Sequence, residues 1–355
     1  MAGLTALTIS AAAAALLGRW VYKALLRPPP PRICGSPGGP PVTSPRVQLR
    51  DGRHLAYREW GVPRAEARHR IVVIHGFDSS KDFCLNASQE LVEALGIYFV
   101  SFDRAGYGES DPNAGRTVES DAMDIRELAD QLGLGDRFYV IGVSIGGYPA
   151  WACIKHIPHR LAGVALIAPV VNFWWPSLPE KLAREAYAKV QAPDRRAFWV
   201  ARHTPRLLYS YMTQKLVTPT AAAVGHPDVF SHQDKEILRM LAANPSPNKA
   251  RQQGEHESLH RDLMLAFGDW GFEPMHLPDP FPAGNRGSSV HIWHGSDDRM
   301  IAAELQRHVA GTLPWVRYHE CAGCGHLFVY LQSWSDAILK ALLLGEEAEQ
   351  PAASG

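Results

Sequence analysis

Several short stretches of the chain are apolar at nearly every position: Arg70–His75 (RIVVIH), Tyr98–Asp103 (YFVSFD), Phe138–Val143 (FYVIGV), Gly163–Ala168 (GVALIA) and Val290–His294 (VHIWH). A strand with one face in water alternates apolar and polar residues. Runs without that alternation suit strands covered on both faces, which is the environment of a mainly parallel sheet between layers of helices. Parallel neighbours need crossover connections, and helical stretches lie where these belong, at Ser88–Leu95, Val118–Leu132, Ile145–His156, Ala302–Leu313 and Leu331–Leu344. The expected fold class is α/β, with a mostly parallel, doubly wound sheet.

The spacing breaks once. Residues 171–286 separate two expected strands by far more than a crossover needs and carry their own helical pattern, so they read as an inserted, mainly helical cap. The core is then 47–170 together with 287–345, preceded by an apolar and basic segment (1–27) and a Pro/Gly-rich linker (28–46), and followed by a flexible tail (346–355).

An apolar content of 46% can supply a large buried core, and 36 basic residues balance 36 acidic ones, so no global field favours nucleic acid or another polyanion as partner. The five cysteines are odd in number and sit mostly in apolar segments, which fits a reducing compartment rather than a disulfide framework.

The first fifty residues contain no Asp or Glu. Within them LTALTISAAAAALL (Leu4–Leu17) is followed by Arg19 and Lys23, then by Pro28–Pro31, where a helix must stop. Extended to Leu26 with the cations snorkelling, residues 4–26 read as a membrane anchor. The charge follows the apolar run, which disfavours a cleaved secretory signal and places the following domain on the cytoplasmic side. An acid-free leader containing Arg, Ser and Ala also fits transit to a plastid or mitochondrion, and a plain tail on a cytoplasmic protein is the remaining reading.

Gly142-Val143-Ser144-Ile145-Gly146 follows one of the apolar runs and opens a helix. A serine on so sharp a strand-to-helix turn is held in a strained backbone, and side chains two residues before and after would clash, hence Gly142 and Gly146. The free amides at the helix start point at the serine, so Ile145 N–H can stabilise charge on a substrate oxygen. His75-Gly76-Phe77 ends another run and offers Phe77 N–H as a second donor. Taken singly, the pentapeptide leaves open an ordinary helix start with an N-cap serine, and His-Gly alone reads first as a tight turn.

Together with Asp103-Arg104-Ala105-Gly106-Tyr107-Gly108-Glu109-Ser110, His294-Gly295-Ser296-Asp297-Asp298 and Gly323-Cys324-Gly325-His326, these motifs stand in the order found in the α/β-hydrolase family, which the chain resembles from about Val47 to Leu344 outside the cap. The resemblance implies a Ser-Asp-His order: Ser144 as nucleophile, His326 after the last strand as base, and Asp298, three residues after Gly295, as the orienting acid. Asp297 is the competing carboxylate and His319 the competing imidazole. Relatives that place the acid after an earlier strand have a carboxylate where this chain has Asn172.

The implied activity is hydrolysis of a carboxylic ester through an acyl-enzyme, with neither metal nor organic cofactor. Family members that open epoxides or cleave haloalkanes use an aspartate where Ser144 stands, and no His is followed five positions later by Asp, as in lysophospholipid acyltransferases. A zinc reading of His319, Cys321, Cys324 and His326 would consume the base and strain a single compact cluster. The Cys321-Cys324 pair also lacks the helix-opening context of a redox motif.

Aromatic residues of the cap (Phe173, Trp174, Trp175, Trp199, Tyr209, Tyr211, Trp270, Phe272), with Met212, can line an apolar pocket over the serine or merely glue the cap down. A lipophilic small-molecule ester is the substrate expected. The fold also hosts C–C hydrolases, lyases and small-molecule receptors, so those readings stay open.

Overall fold

The computed structural model describes residues 26–221, 227–243, 249–281 and 288–346, with residues 16, 18 and 19. Eight strands form one sheet: β1 (Arg46–Gln48), β2 (His54–Gly61), β3 (His69–Ile74), β4 (Ile97–Phe102), β5 (Phe138–Val143), β6 (Leu161–Ile167), β7 (Val290–Gly295) and β8 (Val316–Cys321). Their order is β1-β2-β4-β3-β5-β6-β7-β8. The β1–β2 and β2–β4 pairs are antiparallel and every other pair is parallel.

The five apolar runs are the five central strands. Their side chains alternate between two packed faces: Val72, Ile74, Val100 and Val140 lie on one, and Ile71, Val73, Phe99 and Ile141 on the other. Helices α2 (Val118–Gln131), α3 (Gly147–His156) and α9 (Ala303–Thr312) cover the first face, while α1 (Gln89–Leu95) and α10 (Gln332–Leu344) cover the second. Strands β1, β2 and β8 were not among the expected runs. They lie toward the sheet edges and carry polar, partly exposed residues such as Arg58, Glu59 and Arg317, so they have no continuous apolar signature.

Between β6 and its hydrogen-bonded neighbour β7 the chain makes an excursion containing α4 (Glu180–Lys189), α5 (Ala192–His203), α6 (Leu208–Thr213), α7 (His232–Ala243) and α8 (Arg261–Phe267). It leaves from the C-terminal end of β6, the side of the sheet on which open α/β sheets place their ligands, and returns to the N-terminal end of the parallel strand β7.

The Pro/Gly-rich stretch before β1 is packed rather than a free spacer. Cys34 is buried with its N–H on Gln253 Oε1 at 2.8 Å, and the Thr43 N–H and hydroxyl donate to Glu109 at 2.8 and 2.5 Å. No helix among the described residues is long and apolar enough to cross a membrane. Residues 4–26, the candidate anchor or targeting segment, lie for the most part outside the described residues. All five cysteines are free thiols.

Candidate active site

Strand β5 ends at Val143, and the next residue, Ser144, has φ +54°, one of three non-glycine residues among those described with a left-handed backbone. A single 3-10 turn, Ser144–Gly146, then leads into α3, so the α-helix starts two residues later than Ile145. The turn is possible because its neighbours lack side chains. A Cβ on Gly142 would stand 2.5 Å from the Gly146 carbonyl oxygen, and one on Gly146 would stand 2.5 Å from that of Ile74. Strain of this kind persists only where the surroundings enforce it, and here it lifts the Ser144 side chain off the end of the sheet.

Two loops bring partners to it. Loop 322–327, after β8, places His326 Nε2 at 2.9 Å from Ser144 Oγ. The loop after β7 places Asp298 Oδ2 at 2.7 Å from His326 Nδ1. Asp298 Oδ1 accepts the Met300 and Ile301 amides at 2.8 and 3.0 Å, so both oxygens of the carboxylate are engaged. Asp297 turns outward, and its carboxylate accepts the Ser296 hydroxyl at 3.1 Å. His319 lies away from the serine, stacked on Trp293 and bonded to His291 at 2.8 Å. Asn172 is buried, donating to Gly268 O and accepting the Trp174 N–H.

Electrostatics follow from this geometry. Burial alone would push the His326 pKa down, but the Asp298 charge and hydrogen bond, joined by the Asp234 charge, outweigh it and raise it above the ordinary 6.5. Burial would raise Asp298, and the His326 charge and hydrogen bond instead hold it below its usual 3.8. With Nδ1 bound to a carboxylate, Nε2 is left to accept a proton from Ser144. The arrangement can therefore deprotonate an alcohol and hold the resulting imidazolium. A second imidazole, His294, approaches Asp298 Oδ2 at 3.5 Å and donates from Nε2 to Ile301 O at 2.9 Å. Burial, opposed by the Asp298 charge, pushes its pKa down.

The opposite wall is the loop after β3. His75 is fully buried, its Nδ1 donating to Gly76 O at 2.8 Å and its Nε2 accepting the Arg104 N–H at 3.2 Å. A Cβ on Gly76 would sit 3.4 Å from Ser144 Cβ, which brings the backbone of the next residue, Phe77, close to the serine. Phe77 and Ile145 line the same cavity as Ser144 and His326. The opening amides of the Ser144–Gly146 turn have no partner inside it, as at any helix start.

Behind this loop lies a buried charged network that the motifs did not reveal. Arg104 forms a two-pronged ion pair with Asp262 of α8, and Asp262 also accepts the Tyr107 and Tyr148 hydroxyls at 2.7 and 2.8 Å. Arg116 and Asp121 complete it with paired bonds of 2.8 Å. Burial would raise the Asp262 pKa, yet the Arg104 and Arg116 charges hold it below the usual carboxylate range. Arg104 was visible in the sequence only as part of a motif, and nothing in the spacing pointed to Asp262.

The cavity over Ser144, about 640 Å³ counting space continuous with solvent, is walled by Val170, Val171, Phe173, Phe198, Leu263, Phe267, Met300 and Ile301, with Asp194 and Thr220 as polar exceptions. Of the cap aromatics singled out in the sequence, only Phe173 lines it. Trp175 and Trp270 pack on each other with centroids 4.9 Å apart, and Trp199 is 49% exposed. Phe198 and Phe267, stacked at 4.0 Å, take the wall positions instead. The compact Cys/His stretch after β8 does not converge: His319 faces His291, His326 faces Ser144, and Cys324 takes a bond from Gln233.

A family model described as the alpha/beta hydrolase family matches residues 71–341, most of the chain. The chain belongs to that family. Among curated relatives of this hydrolase, the dihydrolipoyllysine-residue acetyltransferase component of the acetoin cleaving system of Cupriavidus necator is 33% identical over 101 residues, 28% of this chain and 26% of that protein. The match thus spans about a quarter of that relative's length. Among solved structures, an esterase from Exiguobacterium antarcticum is 16% identical, covering 84% of this chain and 99% of its own, with a TM-score of 0.55. A thermophilic esterase from Thermogutta terrifontis is 21% identical, covering 85% and 98%, with a TM-score of 0.51. At such identities the likeness speaks to the fold: this hydrolase shares the architecture of these enzymes.

Proposed function

We propose that this hydrolase cleaves a carboxylic ester with an apolar acyl group, with Ser144 as nucleophile, His326 as general base and Asp298 as the acid that orients it. The observation that carries the reading is the 2.9 Å approach of His326 Nε2 to Ser144 Oγ at the floor of an apolar cavity.

Ser144 Oγ attacks the ester carbonyl carbon while its proton passes to His326 Nε2. The C–O double bond opens to an oxyanion, which the Phe77 and Ile145 amides receive. Collapse of this intermediate expels the alkoxide, which takes the proton from His326, and leaves an ester on Ser144. Water then repeats the sequence, giving up its proton to His326, and the acid departs as Oγ is reprotonated. Asp298 stays ionised throughout and stabilises the imidazolium that forms twice.

The test is labelling with a fluorophosphonate beside Ser144→Ala and His326→Ala, followed by p-nitrophenyl esters from acetate to palmitate. Labelling and turnover present in wild type and lost in both variants is the expected result. A wild-type protein that neither labels nor turns over these esters, but binds apolar molecules in the cavity, overturns it in favour of a ligand-binding protein.

A further inference from the structure

Helix α7 of the insertion is seated on the loop that carries His326. Its first turn is a capping box, with Asp234 N–H donating to Ser231 Oγ at 3.1 Å and Ser231 N–H donating to Asp234 Oδ2 at 3.0 Å. Asp234 is fully buried, and its carboxylate does more than cap. His326 N–H donates to Oδ2 at 3.1 Å and Leu327 N–H donates to Oδ1 at 2.7 Å. Beside it, Gln233 Oε1 accepts the Gly325 N–H at 2.9 Å. The amides of residues 325, 326 and 327 are thus all held by two adjacent side chains of the insertion. Residue 325 is glycine for this reason: a Cβ there would run into Ser231 Oγ and the Asp234 carboxylate.

A helix needs only one of these bonds for its cap. The others reach across more than ninety residues of sequence to the backbone of one loop. Amide bonds to a buried charge are stronger than neutral ones and leave little freedom in the backbone they fix. The backbone fixed here is that of the imidazole lying between Ser144 and Asp298. The same segment packs against the cavity: Val229 and Phe230, just before α7, sit with Leu327 and Met300, and Met300 lines the wall beside His326.

We propose that Asp234, assisted by Gln233, is a positioning residue for the ester hydrolysis proposed above: the insertion supplies the clamp that keeps His326 in line, so the base is aligned only while α7 is docked. The inference rests on that reading of the site, and it makes the cap part of the alignment machinery as well as a roof over the substrate.

The titratable groups facing His326 are Asp298 on the loop after β7, His294 on β7 and Asp234 from α7. Asp234 is the only one of the three contributed by the insertion. Its negative charge favours the imidazolium, so its neutral replacement lowers the pH at which His326 titrates.

The experiment uses the full chain with Asp234→Asn, Asp234→Glu and Gln233→Ala. The His326 Nδ1 proton resonance is followed through a pH titration, together with steady-state turnover of p-nitrophenyl butyrate. In Asp234→Asn, kcat falls by about 10- to 100-fold, the scale of a small displacement of a reacting group, while KM stays within about threefold of wild type. The His326 midpoint moves to lower pH, and Asp234→Glu recovers part of both changes. Gln233→Ala, which leaves the buried carboxylate and helix cap in place, lowers kcat by about 3- to 10-fold at an unchanged melting temperature, so the clamp is tested even if Asp234→Asn does not fold. An Asp234→Asn protein with wild-type kcat and wild-type His326 midpoint overturns the proposal, as does Gln233→Ala with wild-type kcat. The titration reads His326 directly, so failure of the clamp is distinguishable from failure of the ester reading: a midpoint that shifts in a protein without ester turnover sinks the latter alone.

Discussion

Arg104 Nη2 donates to the carbonyl oxygen of Gly76 at 3.2 Å, while the same guanidinium is paired with Asp262 of the insertion. The loop that carries Phe77 is therefore tied, through one side chain, to the insertion. Both partners are almost completely buried. Removing one leaves an uncompensated buried charge, which costs about 3–5 kcal/mol. Asp262→Ala should lower stability by that amount in denaturant titrations, and Arg104→Met combined with Asp262→Leu should lose less than the sum of the single changes. Additive losses would show that the pair is not coupled.

The elbow around Ser144 depends on space. Gly146→Ala forces a methyl against the carbonyls of Ile74 and His75, at 2.5 and 2.8 Å before relaxation. Overpacking of this kind costs about 1–3 kcal/mol, and the relaxation it forces moves the serine. The expected outcome is a folded but less stable protein whose fluorophosphonate labelling rate falls sharply.

Of the two adjacent carboxylates, only Asp298 holds His326. Asp298→Asn should reduce kcat by roughly 10³- to 10⁴-fold, since an amide cannot hold the imidazole in the required tautomer and charge state. Asp297→Asn, on an exposed side chain, should leave kcat within about twofold. Equal losses in the two variants would reverse the assignment.

The raised His326 pKa sets the direction of the pH response. In the proposed mechanism His326 acts as base only when neutral, so kcat/KM should climb with pH through a limb whose midpoint lies above 6.5. Stability responds in the opposite sense for this residue. A raised folded pKa contributes stability that is present below 6.5 and lost as pH rises through the folded value. Asp298, held below 3.8, contributes stability that is present above that value and lost as pH falls through the lower folded one. A pH–rate profile of wild type, with unfolding measured at the same pH values, checks both signs.

Phe198 and Phe267 stack at 4.0 Å on the wall of the cavity. Phe198→Ala opens that wall and should shift preference toward longer acyl chains. The expected change is about tenfold in the octanoate-to-butyrate ratio of kcat/KM, in keeping with ~1–3 kcal/mol per buried methylene. An unchanged ratio would place the acyl group elsewhere in the cavity.

Local steric rules made much of this protein legible from its sequence. Gly142, Ser144 and Gly146 specify their turn through clashes between near neighbours, and the five central strands announce themselves because residues covered on both faces must be apolar throughout. Strands β1, β2 and β8, at or next to the sheet edges, were not legible, since polar and partly exposed residues interrupt their apolar positions. What only the tertiary structure decided is what the insertion touches. Asp262 meets Arg104 across 158 residues of sequence and Asp234 meets His326 across 92. Phe198 and Phe267, rather than the tryptophans, reach the cavity. Periodicity and spacing record which side of its own helix or strand a residue faces, whereas these partnerships depend on the path the insertion takes over the sheet, which long-range packing determines.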